Sequence, residues 1–424
     1  MSTSESLWLL YFTSKCSAIL SPENITFFLL SLCFVWLSFS LLSWSYPGGH
    51  AWGKYYLNNW NYHYNTIPGP RGFPIIGNMN LMSSSLAHQR LESVADSTKA
   101  KRIMAFSLGE TRAIVTCNPD VAKEILNSSV FADRPIKQSA YSLMFNQAIG
   151  FAPFGLYWRT LRKVSATHVF SRKQIVATEA QRQKIADQMV SVVASLGKDN
   201  EFEVRDILKR ASLNNMMCLV FGREYDLSDN NNNNNKELDE LSELVHEGYE
   251  LLGQLNWADH LPWLAFLDLQ KIRRRCSKLV LKVNQFVSRI ITEHRVAQSS
   301  SNLTGPRKFH DFVDVLLSLS ETNYKLSDLD TIAILWEMIF RGTDAIAILI
   351  EWILARVVLH QDIQSKMHEE LDEVVGKKQP VKESDIPSLT YLQAVIKEVL
   401  RLHPPGPLLS WARLAITDTI IDGH

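Results

Sequence analysis

Cysteine is scarce and scattered in this chain. The five cysteines, Cys16, Cys33, Cys117, Cys218 and Cys276, form no CxxC pair and no even framework, which excludes a disulfide scaffold and a structural zinc site. Free thiols fit a reducing compartment. Net charge is also lacking: 44 basic residues balance 44 acidic ones, so no bulk attraction to nucleic acid is implied. No GxGxxG, P-loop or GxSxG segment occurs, so dinucleotide binding, phosphoryl transfer and the α/β-hydrolase nucleophile have no local support. Repeats are absent, which removes solenoids. One low-complexity run, Asn230–Asn235, reads as a loop rather than a site.

What remains is apolar and mostly helical. With 424 residues, 46% of them hydrophobic, the chain is able to build a large core. Ile25–Trp44 carries no charge, and its twenty residues match the ~30 Å hydrocarbon core of a bilayer. It is too long for a signal-peptide h-region and lacks a basic n-region, so it reads as a retained anchor. Trp44, Tyr46, Trp52, Tyr55 and Tyr56 suit the interface just beyond it. Pro68 to Asn78, rich in proline and glycine, is a stiff connector. The expected organisation is a leader over 1–24, an anchor over 25–46, a hinge over 47–78 and the main domain over 79–424.

Within that domain, Lys101–Gly109 and Thr111–Cys117 read as a hairpin, and Asn118-Pro119-Asp120 as a helix start. Helical patterns follow from Gly155, over 171–196 and 205–221, from about Lys236 to Gln254 and from about Lys271 to His294. Asn256–Gln270, with Pro262 and large aromatics, fits an apolar loop near a membrane or a ligand entrance. Two further helices are Asp362–Val375, closed by Gly376, and Ser388–Leu402, stopped by His403-Pro404-Pro405. Leu408–Ile421 alternates as a strand does. The fold class is therefore mainly α with small β sheets.

Thr331–Leu359 dominates the domain. As a helix, its 29 residues would span ~43 Å, and it is apolar around most of its circumference, so it belongs in the interior. Glu337, Arg341, Asp344 and Glu351 recur on one narrow face, with Gly342-Thr343-Asp344 at the centre. Spacing alone leaves a functional groove and a structural polar seam equally open.

Four features in order turn this pattern into a resemblance: the proline-rich hinge, Trp158…Arg162, Gly342-Thr343-Asp344 in a long helix, and Glu398-x-x-Arg401. Behind an anchor they resemble a microsomal cytochrome P450. FADRP at 131–135, SAYSLMF at 139–145, IGFAPFGLYWRTLR at 149–162 and WEMIFRGTD at 336–344 are similar to the plant family numbered 78, subfamily A. The resemblance implies the cytochrome P450 fold with haem b, dioxygen, and NADPH electrons delivered through a partner P450 reductase. It assigns Trp158, Arg162 and Arg413 to the haem propionates, and Glu398 and Arg401 to a buried brace. Gly342 would leave room for dioxygen, and Asp344, beside Thr343, would serve proton delivery. Arg159, Lys163, Arg172 and Lys173 would face the acidic reductase. The location implied is the endoplasmic reticulum membrane, single-pass, with the catalytic domain cytosolic.

The sequence departs from the family pattern twice. Ala345 stands where a threonine is expected, and Thr343 lies ~200° around the helix from it. Thiolate ligation needs an F-x-x-G-x-R-x-C-x-G loop, yet all five cysteines precede Glu398. The resemblance thus implies a chain ending before the haem-binding cysteine loop, with no metal ligand of its own. The implied function is monooxygenation of a small apolar, fatty-acid-like substrate, linked to plant organ and seed growth. The alternatives are a catalytically dead truncated product, or a reductase-independent enzyme rearranging peroxides.

Overall fold

The computed structural model describes residues 22–44, 67–83, 86–196, 201–227, 233–301, 311–320, 326–377, 379–408 and 412–424. Among the described residues, the helices longer than the four-residue turns Met79–Met82 and Trp257–His260 begin with α1 (Pro22–Trp44), α2 (Ala87–Ser97), α3 (Pro119–Asn127), α4 (Gln138–Ser142), α5 (Leu156–His168), α6 (Arg172–Ala177) and α7 (Glu179–Leu196). They continue with α8 (Val204–Phe221), α9 (Asn233–Gly253), α10 (Ile272–Ser301), α11 (Phe312–Ser320), α12 (Asp328–Leu359), α13 (Gln361–Val374) and α14 (Thr390–Leu402). β1 (Met104–Leu108) and β2 (Thr111–Val115) pair antiparallel, with Met104 opposite Val115 and Leu108 opposite Thr111. The mainly α class with a small sheet is what the sequence led us to expect.

The chain divides into two compact units, residues 1–128, 260–263 and 419–424, and residues 129–259 and 264–418. In the first, α1 contains one span long and apolar enough to cross a membrane, Asn24–Leu41, with none of it buried. The tyrosines and Trp52 expected at its interface lie outside the described residues, as do residues 47–66 of the hinge. The hairpin turns at Gly109, whose φ of +54° suits glycine. Asn118 caps α3 by accepting from the Asp120 and Val121 amides. Arg102 pairs with Asp422, Nε to Oδ2 at 2.9 Å.

The second unit is built around α12. Ser327 and Asp330 form a reciprocal capping box that starts the helix, and Asp328 adds an ion pair to Arg295. Every residue from Thr331 to Phe340 is buried. Trp336, Phe340, Phe145, Phe221 and Met217 are among the largest fully enclosed side chains, and they join one apolar cluster. The most extensive helix–helix packing is that of α12 on α8. Beyond Asp344 the same helix turns Ile346, Trp352, Leu354, Val358 and Leu359 outward.

Several boundaries differ from expectation. Residues 171–196 are two helices, parted at Thr178, whose hydroxyl bonds back to the Gln174 carbonyl. Asn233–Asn235 open α9 rather than continuing a loop, while residues 228–232 lie outside the description. α11 and α4 carry no long period and went unread. The strand expected over Leu408–Ile421 does not form: the described part pairs only as a bridge of Leu414 to Asp133, with Ile416 N–H on the Val130 carbonyl at 3.0 Å. Its side chains from 412 to 418 are exposed, so the alternation has no second surface to bury.

Candidate functional site

The polar stripe of α12 is held from several directions. Glu337 is 2% exposed and accepts the Gly150 amide on both oxygens, at 2.8 and 3.1 Å. Arg341 Nε donates to its Oε1 at 2.9 Å. Burial pushes the Glu337 carboxyl above the usual carboxylate range, against the opposing pull of Arg341 and of the Gly150 and Ile149 amides. About four turns beyond Glu337, Glu351 accepts two N–H groups of Arg205 on α8, both at 2.8 Å.

Gly342, Thr343 and Asp344 have separate surroundings. A Cβ at Gly342 would lie 2.5 Å from Met216 Cγ and 2.6 Å from its Cε, and would overlap the sulfur as well. The missing side chain therefore makes room for Met216 of α8. Thr343 is buried, and its hydroxyl donates to the Ile339 carbonyl at 2.8 Å within its own helix. Asp344 is partly buried, and burial raises its carboxyl above the ordinary value, with Lys209 of α8 and His246 of α9 pulling the other way. Tyr249 of α9 stacks on Phe340 with centroids 4.0 Å apart and donates to the Phe340 carbonyl at 2.7 Å. Asp344 is thus a carboxyl able to hold a proton inside a polar wall of α8 and α9. Ala345 is exposed.

The cationic side is formed by residues far apart in sequence. Arg134 is half-buried, and its Nε donates to the Gly150 carbonyl at 3.3 Å. Its pKa is lowered by burial first, then by the positive charges of Arg413, Arg341 and Arg162, with Asp133 opposing. The positive charges of three other guanidinium groups thus act on Arg134, and Asp133 opposes them. Such a donor set suits a multiply charged anion. Arg134 is the member that sequence reasoning missed, although it sits inside the quoted FADRP segment. The Trp158 indole N–H donates to the Ile149 carbonyl at 3.0 Å. Arg162 is exposed and lies over the Trp158 ring at 5.6 Å.

Glu398 and Arg401 form a two-pronged ion pair, at 2.6 and 2.8 Å, on α14. The expected burial is not found: their side chains are 54% and 66% exposed. The i,i+3 spacing sets the pair, but among the described residues nothing covers that face, so water screens it. Burial pushes the Cys218 and Cys276 thiols up to a pKa of about 11, and raises that of Cys117 as well. The charges facing Cys218 are Glu224 and Lys184, none of the arginine group.

Comparison with known proteins bears on this geometry. A family model described as cytochrome P450 matches residues 67–424. The chain is 62% identical to "Cytochrome P450 78A6" of Arabidopsis thaliana over 417 residues, covering 97% of this chain and 75% of that protein. It is 60% identical to "Cytochrome P450 78A9" of the same plant, covering 98% and 76%. Identity to "Cytochrome P450 78A3" of Glycine max is 57% over 420 residues, covering 99% and 76%.

Proposed function

Because this chain belongs to the cytochrome P450 family, of the 78A subfamily and with monooxygenase relatives, we propose that it hydroxylates a small apolar, fatty-acid-like substrate. The growth role in plant organs and seeds is part of the same proposal. The observation that carries it is Arg134, bonded to the Gly150 carbonyl beside the Glu337–Arg341 pair of the central helix, with the positive charges of Arg162, Arg341 and Arg413 acting on it. Haem, when bound, supplies the activation of dioxygen. The propionates of that group would suit this donor set, and Arg134, Arg162 and Arg413 would hold them. Trp158 contributes by fixing the loop at Ile149 rather than by donating to the propionates. Asp344, a carboxyl that burial inclines to keep its proton, holds and passes protons from the His246 and Lys209 side. Gly342 and Thr343 shape that wall. Arg159, Lys163, Arg172 and Lys173 are all exposed and form the steering surface for an acidic reductase carrying electrons from NADPH. The candidate span in α1 supports a membrane anchor, for which the endoplasmic reticulum is the proposed site.

A second reading rests on the thiols. Burial raises the pKa of Cys218 and Cys276, the two described cysteines of the unit that carries the arginine group, and so disfavours their thiolates. On that reading the chain holds haem by its propionates alone and does not hydroxylate. The carbon monoxide spectrum of the reduced, haem-loaded chain decides between the two. The red-shifted Soret band of a thiolate-bound haem supports the monooxygenase. A bound haem without that shift supports the second reading, and failure to bind haem at all defeats both.

A further inference from the structure

We propose that Glu337 is a positioning residue for the anion-binding edge, holding the Ile149–Gly150 peptide on which Trp158 and Arg134 are hung. The inference rests on the reading of the arginine group as the propionate edge. It concerns a residue that has no part in the chemistry assigned to α12.

The geometry is a two-sided clamp on one peptide segment. On the inner side, both Glu337 oxygens accept the Gly150 N–H. On the outer side, the Ile149 carbonyl accepts the Trp158 indole N–H at 3.0 Å, and the Gly150 carbonyl accepts Arg134 Nε at 3.3 Å. A Cβ at Gly150 would overlap Glu337 Oε1 and Arg341 Nη2 and come within 3.0 Å of Arg341 Cζ, so only glycine lets the peptide lie flush on the ion pair. Arg162, one turn after Trp158 on α5, rests over the indole ring and takes its position from it. A carboxylate enclosed in an apolar wall is costly unless it is fully paired. Here its hold on one amide fixes the two neighbouring carbonyls that receive Trp158 and Arg134. The Glu337–Arg341 pair therefore does more than satisfy itself: it sets where the edge stands relative to α12.

The test compares two porphyrins that differ only in charge: protoporphyrin IX, with both propionates free, and its dimethyl ester. Each is titrated into the full chain and followed by absorbance, with thermal melts run in parallel. The wild type is expected to prefer the diacid. Glu337→Gln keeps one oxygen for the Gly150 amide and should lose part of that preference. Gly150→Ala, which retains both charges but lifts the peptide, should lose roughly tenfold, as positioning shells around bound groups do. Ester affinity should stay constant in both variants. An unchanged diacid preference in either folded variant overturns the proposal, and so does an equal weakening of both porphyrins, which is what general loosening produces. If the wild type itself shows no preference, the propionate reading falls first and this inference with it.

Discussion

Replacing Gly342 with alanine asks what the missing side chain is for. Resemblance to the family gives the glycine to dioxygen, whereas the structure fills the space with Met216. The new Cβ would stand 2.5 Å from Met216 Cγ and 2.6 Å from its Cε, where carbon contacts are comfortable only near ~3.5–4.0 Å. Met216 is 7% exposed, so its side chain has little free volume into which it could swing. Overpacking of this kind costs about 1–3 kcal/mol. Against it stands the helix preference for alanine over glycine, about 1 kcal/mol. The single substitution should therefore destabilise the chain by roughly 0–2 kcal/mol, the difference of those two ranges. Met216→Ala alone should cost about 2–5 kcal/mol, since it empties a buried site. In that background the clash is gone, and Gly342→Ala should now stabilise by about 1 kcal/mol. Urea unfolding followed by far-ultraviolet circular dichroism gives all four corners of the cycle. A coupling of about 1–3 kcal/mol is expected. Equal effects of Gly342→Ala in both backgrounds would show that Met216 does not occupy the space.

Two further perturbations probe the surroundings of the site. His294 has both ring nitrogens at oxygen atoms, Nε2 at 2.8 Å from Asp311 and Nδ1 at 2.9 Å from the Ile290 carbonyl. Burial opposes its charge, but the bond and charge of Asp311, the Ile290 carbonyl and Asp314 raise its pKa overall. A raised folded value contributes stability that is complete below the unfolded pKa of about 6.5 and is lost as pH climbs through the folded value. The urea midpoint should therefore fall over that interval in the wild type, and the fall attributable to this pair should vanish in His294→Gln; identical slopes would reject the assignment. Phe340 stacks on Tyr249 and meets Phe145 and Trp336 with centroids 5.0 and 5.8 Å away. Phe340→Ala should cost about 3–5 kcal/mol by the same assay, and a loss under about 1 kcal/mol would mean the core is not built as described.

How far the residues themselves announce this arrangement depends on the range of each interaction. α12 was legible from Thr331 to Leu359 because an apolar run of that length has one stable solution, and only its capping box at Ser327 and Asp330 extended it. The hairpin was legible because its strands are neighbours. The partner of Glu337 was half legible: i,i+4 spacing announces Arg341, but Gly150 is 187 residues away and no local pattern marks it. Arg134 failed for the same reason, since its three charged neighbours come from α5, α12 and the segment after α14. Exposure of Glu398 and Arg401 was illegible too, because spacing sets which residues share a face and not what covers it.

The choice between groove and seam along Glu337, Arg341, Asp344 and Glu351 can now be argued. A groove would leave these groups facing one common space. Instead Glu337 clamps the Gly150 amide, Asp344 faces Lys209 and His246, and Glu351 grips Arg205. Glu337, with its partner Arg341, and Glu351 thus act as seams to different neighbours, which is why the helix tolerates their carboxylates. The chemistry that the stripe supports comes from the exceptions to full pairing. Asp344 meets its cations through space, and among the described residues no ion pair fixes it. The charge of Arg341, held in its seam by Glu337, acts on Arg134. A polar stripe in an apolar helix is thus structural along most of its length, and it becomes functional only where the pairing is left incomplete.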